Sequence, residues 1–299
     1  MVRNMYLGLK TLMLLVLTGS VWAEEPDFRT IESEITFIQG DIELLDGRAI
    51  AHVSARFEYL DAFDATRVLE AKSLPIPQGL LGIIIPADSS PFEKDSWMAF
   101  IRYVESGHIG GDGLSATPAD LLLEKRRILA VQNQGNRVQG MNTTEHLGWV
   151  VQPTYSSADQ RLSWSQKLQA GESSIVQHDI VTLGRNGYLT VQASVDGDDD
   201  VVARYLPDLN RLLKFADGYR HENVSDDDIR ADFSLQSLVT GNYASESRFV
   251  SALASISGTG ANRILLTVLI VLLVIVLVRQ HSSTKTQSVR RLNTKKARS

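Results

Sequence analysis

Not one cysteine occurs in the 299 residues. That absence removes disulfides, thiolate metal sites and cysteine nucleophiles together, so the fold must stand on its core alone. Two signatures of hydrolytic chemistry are missing as well. No G-x-S-x-G elbow is present, since GESSI from Gly171 breaks the spacing, and no H-E-x-x-H sets two imidazoles on one helical face. The histidines at 52, 108, 146, 178 and 221 stand far apart, as residues of loops and sheet faces do. DGDDDVVARYLP, from Asp196, starts like a calcium loop. It has Val201 where the turn glycine belongs and Pro207 where the bidentate glutamate belongs, so it reads as an acidic helix cap. His178 and Asp179, adjacent on a predicted strand, point to opposite faces and cannot serve one substrate atom. The sequence singles out no catalytic, cofactor-binding or metal-ligating residue.

Acidic residues are absent from both ends. The first stretch, MVRNMYLGLKTLMLLVLTGSVWA, carries Arg3 and Lys10, then an apolar run from Leu12 to Leu17, with Val21 and Ala23 at the small-residue positions of a cleavage site. This is the layout of a secretory signal ending at Ala23. Between Arg263 and Arg279 there is no charge at all. As a helix, Ile264 to Val278 spans roughly 22 Å, short of a hydrocarbon core of about 30 Å. It is nevertheless apolar all round and has no face for water, and the two arginines can extend their stems along the hydrocarbon. The expected partner of Ile264 to Val278 is therefore a lipid bilayer. The tail from residue 280 holds Lys285, Arg290, Arg291, Lys295, Lys296 and Arg298 without an acid, which keeps that end cytoplasmic and sends the body across. Residues 24–262 hold 20 of the basic residues and all 35 acidic ones, a balance of −15. A field of that sign repels phosphate backbones and excludes nucleic acid as a partner.

In the body hairpins precede helices, with no regular strand-helix alternation. ITFIQGDIELLDGRAIAHV reads as a hairpin turning with positive φ at Asp46-Gly47; Asp61 or Asp64 caps a helix carrying Val68 and Leu69; LLGIIIP and SWMAFIRYVES are strands. Thr117 and Pro118 start a helix with Leu121, Leu122, Ile128 and Leu129 as its core stripe and Glu124, Lys125, Arg126 and Arg127 as its solvated face. HLGWVVQPTYSSADQRLSWSQKLQ and SSIVQHDIVTLGRNGYLTVQASV read as two further hairpins, the second turning at Asn186-Gly187. Trp149, Tyr155 and Trp164 are placed in hairpin core rather than along a ligand groove. Val202 to Leu213 reads as a helix kinked or split by Pro207, and Ser225 with Asp228 as the cap of another, ended by Gly241.

The series LDGRA, FEYLDAFDATRVL, LLGIIIPAD, DSWMAFIRY, LGWVVQPTYSSADQRLSWSQKL, LGRNGYLTV and FADGYR resembles a bacterial family of uncharacterised, predicted membrane-anchored proteins, over roughly Phe37 to Gly241. Gly148-Trp149, Pro153, Tyr155, Leu162, Trp164, Lys167, Leu183-Gly184-Arg185 and Gly187 carry the resemblance most specifically. The chain departs from the family in reading SLPIPQG at Ser73 to Gly79, where a Trp-Gly-Asn-Pro-Pro stretch is usual, and GGDGLS at Gly110 to Ser115, where an acidic run is usual. The resemblance implies an anchored envelope protein and no particular reaction.

The expected organisation is a signal peptide at 1–23, an extracytoplasmic (periplasmic) domain at 24–241, a linker at 242–262, a transmembrane helix at 263–279 and a basic cytoplasmic tail at 280–299. The fold class is α+β, with antiparallel hairpins forming a sheet packed with helices. The expected address is the inner (plasma) membrane, single-pass. The expected role is a binding or scaffolding module with an envelope protein partner. The alternative is a tethered hydrolase whose carboxylates are assembled by the fold.

Overall fold

Period-two alternation builds most of the body. The computed structural model describes residues 28–242, apart from 88, 94–95, 111–112, 139–140 and 198–199. The expected signal at 1–23, the linker beyond residue 242, the span at 263–279 and the tail lie outside the described residues. Among the described residues no helix is long and apolar enough to cross a membrane.

In chain order the elements are α1 (Phe28–Glu34), β1 (Gly40–Leu44), β2 (Ala49–Val53), β3 (Phe57–Asp61), α2 (Ala62–Ala71), β4 (Leu80–Pro86), β5 (Ala99–Val104), α3 (Pro118–Val138), β6 (Thr144–Ser156), β7 (Arg161–Ala170), β8 (Ser173–Leu183), β9 (Tyr188–Asp196), α4 (Leu206–Leu209), β10 (Leu213–Phe215) and α5 (Leu235–Thr240). Seven strands form one antiparallel sheet in the order β3-β4-β5-β9-β8-β7-β6, and β1-β2-β10 form a second, small one. The class is α+β, with antiparallel sheets packed by helices.

Both faces of the large sheet are covered. On one, Tyr59, Ile84, Ile101, Val191 and Ile180 meet Ala51, Leu213 and Phe215 of the small sheet together with Leu209 and Leu212. On the other, α2 lays Ala65, Val68 and Leu69 over Leu60, Ile83 and Phe100 at the β3 end. At the β7 end, α3 and α5 lay Leu121, Leu235 and Leu238 over Leu162, Trp164 and Val181. Two groups of helices thus share one sheet face and leave its middle strands between them.

Several local expectations hold. Leu45, Asp46 and Gly47 turn the first hairpin with φ of 56°, 56° and 80°. Asp61 caps α2, its Oδ1 accepting from Asp64 N at 2.9 Å. Thr117 and Asp120 cap α3 reciprocally, and Gly241 ends α5 in the left-handed region at φ 78°. His178 and Asp179 do lie on opposite sheet faces. Gly187 is required for a different reason than turn conformation: a Cβ there would sit 2.2 Å from Val104 O, where β5 ends against the hairpin.

Two helices expected from sequence form only in part. Val202 to Leu213 breaks into a single 3-10 turn at Ala203–Tyr205, the four residues of α4 with Pro207 in its first turn, and then strand β10. Leu213 and Phe215 are two residues apart, and pairing against β2 buries both. Ser225 and Asp228 close a turn, with Ser225 N donating to Asp228 Oδ2 at 2.7 Å, and no α-helix follows it until α5.

Candidate functional site

The face of the sheet between the helix groups is polar where a core would be apolar. Strands β7, β8 and β9 place Trp164 and Gln166, Gln177 and Asp179, and Thr190 and Gln192 on it, and β5 adds Arg102. All seven side chains are buried. Together with Lys125, Ile128 and Leu129 of α3 and Leu238 and Thr240 of α5 they line a partly open cavity of about 90 Å³.

Asp179 organises the floor. Its Oδ1 accepts from Gln177 Nε2 at 3.0 Å and Gln192 Nε2 at 2.8 Å; its Oδ2 accepts from Gln166 Nε2 at 3.1 Å and Gln177 Nε2 at 2.8 Å. Three primary amides from three neighbouring strands thus converge on one carboxylate. Above them Lys125 donates to Val239 O at 2.8 Å and stands 5.9 Å from the centre of the Trp164 ring. Burial pulls the Lys125 ammonium down to about 8, opposed by the Asp179 charge. The neighbouring His146 is held down at about 4 by burial and then by the Lys125 and Arg126 charges, so its imidazole is neutral at pH 7.

Four buried polar atoms on this face meet no protein partner, Trp164 Nε1, Thr190 Oγ1, Gln192 Oε1 and Thr144 Oγ1, while Gln166 Oε1 has the His146 ring as its hydrogen-bonding neighbour. Each buried group left without a partner costs about 1–3 kcal/mol. Native interiors carry few of them, yet four line this one cavity.

The expected solvated face of α3 is corrected here. Only Glu124 and Arg127 pair outward, at 2.6 Å. Lys125 turns to the cavity, and Arg126 donates from Nε to His146 O and from Nη2 to Leu147 O, fastening α3 to β6. Trp164 is a cavity wall, whereas Trp149 and Tyr155 pack in the cluster under α3, with Trp149 Nε1 donating to Pro118 O at 2.9 Å.

A hydrogen-bonded Ser-His-Asp chain occupies the opposite sheet face. Ser165 Oγ lies 2.7 Å from His178 Nδ1, and His178 Nε2 lies 2.8 Å from Asp200 Oδ1. Serine and histidine are only 2% and 1% exposed, so no acyl group reaches the hydroxyl. Asp200 also accepts from Ala203 N at 3.1 Å, as the acidic cap read from the sequence. The chain ties the segment after β9 down onto the sheet. The other histidines lie apart. His52 meets Asp41 at 2.6 Å on an exposed edge, and His108 stacks on His221 with ring centres 4.1 Å apart. Among the described residues no three His, Asp or Glu side chains group so as to hold a metal ion.

Comparison with known structures returns slight likenesses. PsbP of the cyanobacterium Synechocystis is 14% identical, covering 59% of this chain and 91% of that one at a TM-score of 0.34. The Ran-binding protein Mog1p of Saccharomyces cerevisiae is 9% identical, covering 64% of this chain and 100% of that one at 0.33. LpqN of Mycobacterium tuberculosis, described as involved in cell envelope biogenesis, is 12% identical, covering 60% and 90% at 0.26. At such scores they carry no functional inference. No curated protein matches the sequence. A family model does match, over residues 36–278, which is most of the chain and takes in the apolar run from Ile264. The chain belongs to the family described as protein of unknown function DUF2167.

Proposed function

We propose that this is a membrane-tethered, extracytoplasmic binding domain that holds a small polar molecule in the cavity on the face of β5, β9, β8 and β7. One observation carries the reading: four buried polar atoms without protein partners line a single cavity. A cavity of 90 Å³ has room for about three waters, so it is hydrated or occupied by a small ligand that replaces them. The chemistry on its walls suits binding better than hydrolysis. Asp179 is the one carboxylate among the described lining residues, and three amides already occupy its oxygens. Facing acids for general acid-base work are not among those residues. The apolar run Ile264 to Val278, the basic tail and the leader support the tether and the orientation. In this reading the acidic body sits in the periplasm and the tail in the cytoplasm.

The full-length chain in detergent, melted with and without the small-molecule fraction of an envelope extract, tests the binding. A rise in melting temperature that disappears in Gln192→Met supports the cavity; an unchanged melt for both chains refutes it. For the tether, a carboxy-terminal tag cut by protease added to intact spheroplasts, or release of the chain by alkaline carbonate, overturns the orientation.

A further inference from the structure

We propose that the outward face of α3 lies on the anionic lipid surface to which the chain is tethered; this rests on the tether proposed above. Among the described residues twelve large hydrophobic side chains are exposed, and seven of them fall between residues 123 and 151, on α3, just after it and on β6, the edge strand that Arg126 fastens to α3. Single exposed aliphatics are ordinary, but such a concentration in one region marks a contact surface. On α3 the pattern has a direction. Leu123, Val131 and Val138 are 66%, 62% and 86% exposed, and at about 100° per residue they share an arc of about 80° with Arg127 and Gln134. Leu121, Ile128 and Leu129 point the other way, to the sheet and the cavity. The outward stripe runs about 22 Å along the helix, and such a straight ridge suits a plane better than a pocket.

Charge selects the plane. α3 holds four basic residues, Lys125, Arg126, Arg127 and Arg137, against Asp120 and Glu124, in a body whose balance is −15. Arg127 and Arg137 are exposed beside the stripe, where their stems cover hydrocarbon and their guanidiniums meet lipid phosphates. An anionic leaflet repels the rest of the body and accepts this face, which sets the orientation. A second copy of the chain laid on the stripe brings like charges together instead. The path of the chain favours the lipid too. Lys125 donates to Val239 O of α5, so the chain leaves the described residues at Asn242 beside α3. Residues 243–263 separate it from the apolar run, and at no more than about 3.6 Å each they hold the body within about 75 Å of the bilayer. At that range a surface contact too weak to recruit a free protein is populated.

Because the chain has no native cysteine, a nitroxide can be set at one chosen residue. Val131→Cys, Val138→Cys, Lys214→Cys and Val271→Cys are labelled in the full-length chain and reconstituted into vesicles of phosphatidylcholine with phosphatidylglycerol. Lys214 is exposed on β10, in the small sheet that covers the other face of the large one. Electron paramagnetic resonance reads the collision of each label with oxygen, which enters lipid, and with a water-soluble nickel chelate. The oxygen-to-nickel ratio at 131 and 138 should exceed that at 214 about threefold or more, and should fall in phosphatidylcholine alone; an unchanged ratio there overturns the choice of an anionic surface. If 131 and 138 match 214 while 271 lies deep in lipid, the docking is overturned and the tether stands. If 271 is open to nickel while 131 and 138 are lipid-exposed, the tether falls and the docking stands; if all four are open to nickel, both fall. Labels at 131 and 138 screened from oxygen and nickel alike sit against protein, which overturns the lipid assignment.

Discussion

Replacing Asp179 by leucine removes the acceptor on which the floor of the cavity is organised. The three glutamine amides that lose it are 2%, 4% and 7% exposed, so water does not freely take its place. A buried donor left unpaired costs about 1–3 kcal/mol, and three of them cost up to about 9. Rotation of the amides and water already in the cavity recover part of that, and a net loss on the order of 4 kcal/mol is expected. Lys125 adds to it, because its ammonium loses the neighbouring charge that favours it. Asp179→Asn keeps one acceptor and lets the amides exchange orientation, so it should cost about half as much. The assay is urea denaturation of the full-length chain followed by tryptophan fluorescence, with Trp164 on the cavity wall as reporter. In a double-mutant cycle Gln192→Met should be less costly in the Asp179→Leu background than in the native chain, with a coupling of about 1 kcal/mol or more. A native-like midpoint for Asp179→Leu, within about 0.5 kcal/mol, would refute the claim that one carboxylate orients the three amides.

Other consequences follow from single contacts. Lys125 has its folded pKa depressed to about 8; the unfolded chain then binds more protons between that value and about 10.4, and stability gains from this group as pH rises through the window. The difference between the denaturation profiles of Lys125→Met and the native chain should show that slope and isolate it from the tyrosines. Asp228 is held at about 2 by Arg185, so its contribution is present above the ordinary carboxylate range and lost as pH falls toward 2; Asp228→Asn should flatten acid unfolding there. Gly82→Ala sets a Cβ 2.3 Å from Leu60 O and 2.4 Å from the Tyr59 ring, between β3 and β4, and should cost at least about 2–3 kcal/mol, read as a lower urea midpoint. Ser165→Ala should cost about 1–2 kcal/mol, and a fluorophosphonate should leave native Ser165 unlabelled; labelling there would revive the hydrolase alternative.

The hairpins were legible because their signals are local. Tight turns at Asp46-Gly47 and Asn186-Gly187 and the alternation in β5, β7 and β8 need no knowledge of distant residues. The helix expected over Val202 to Leu213 was lost to the same locality. Leu209, Leu212 and Leu213 satisfy helical spacing, and only the presence of β2, far earlier in the chain, makes Leu213 and Phe215 a strand. The cavity is composed wholly of such long-range facts. Gln166, Gln177, Asp179, Thr190 and Gln192 each occupy the polar half of an alternating strand, and alternation alone assigns them to water. A usable clue was the helix from Pro118, whose Leu121, Leu122, Ile128 and Leu129 need a sheet to cover. The face they cover is the one that carries the glutamines.

That pairing of an apolar helix stripe with a polar sheet face is the physical reason to read a site here rather than a defect. Stability alone would be served by leucine or valine at Gln166, Gln177, Asp179 and Gln192, since replacing all partners of a buried polar network by apolar side chains is commonly neutral or favourable. Among the described residues the cavity is walled by α3, α5 and the sheet. If the network exists for fold alone, the quadruple leucine variant should be less stable than the native chain, and neither chain should shift its melting temperature with the envelope fraction. If it exists for a ligand, the variant should be equally stable or more so, and blind to that fraction. Stability and response separating in this way is what distinguishes a binding surface from a core.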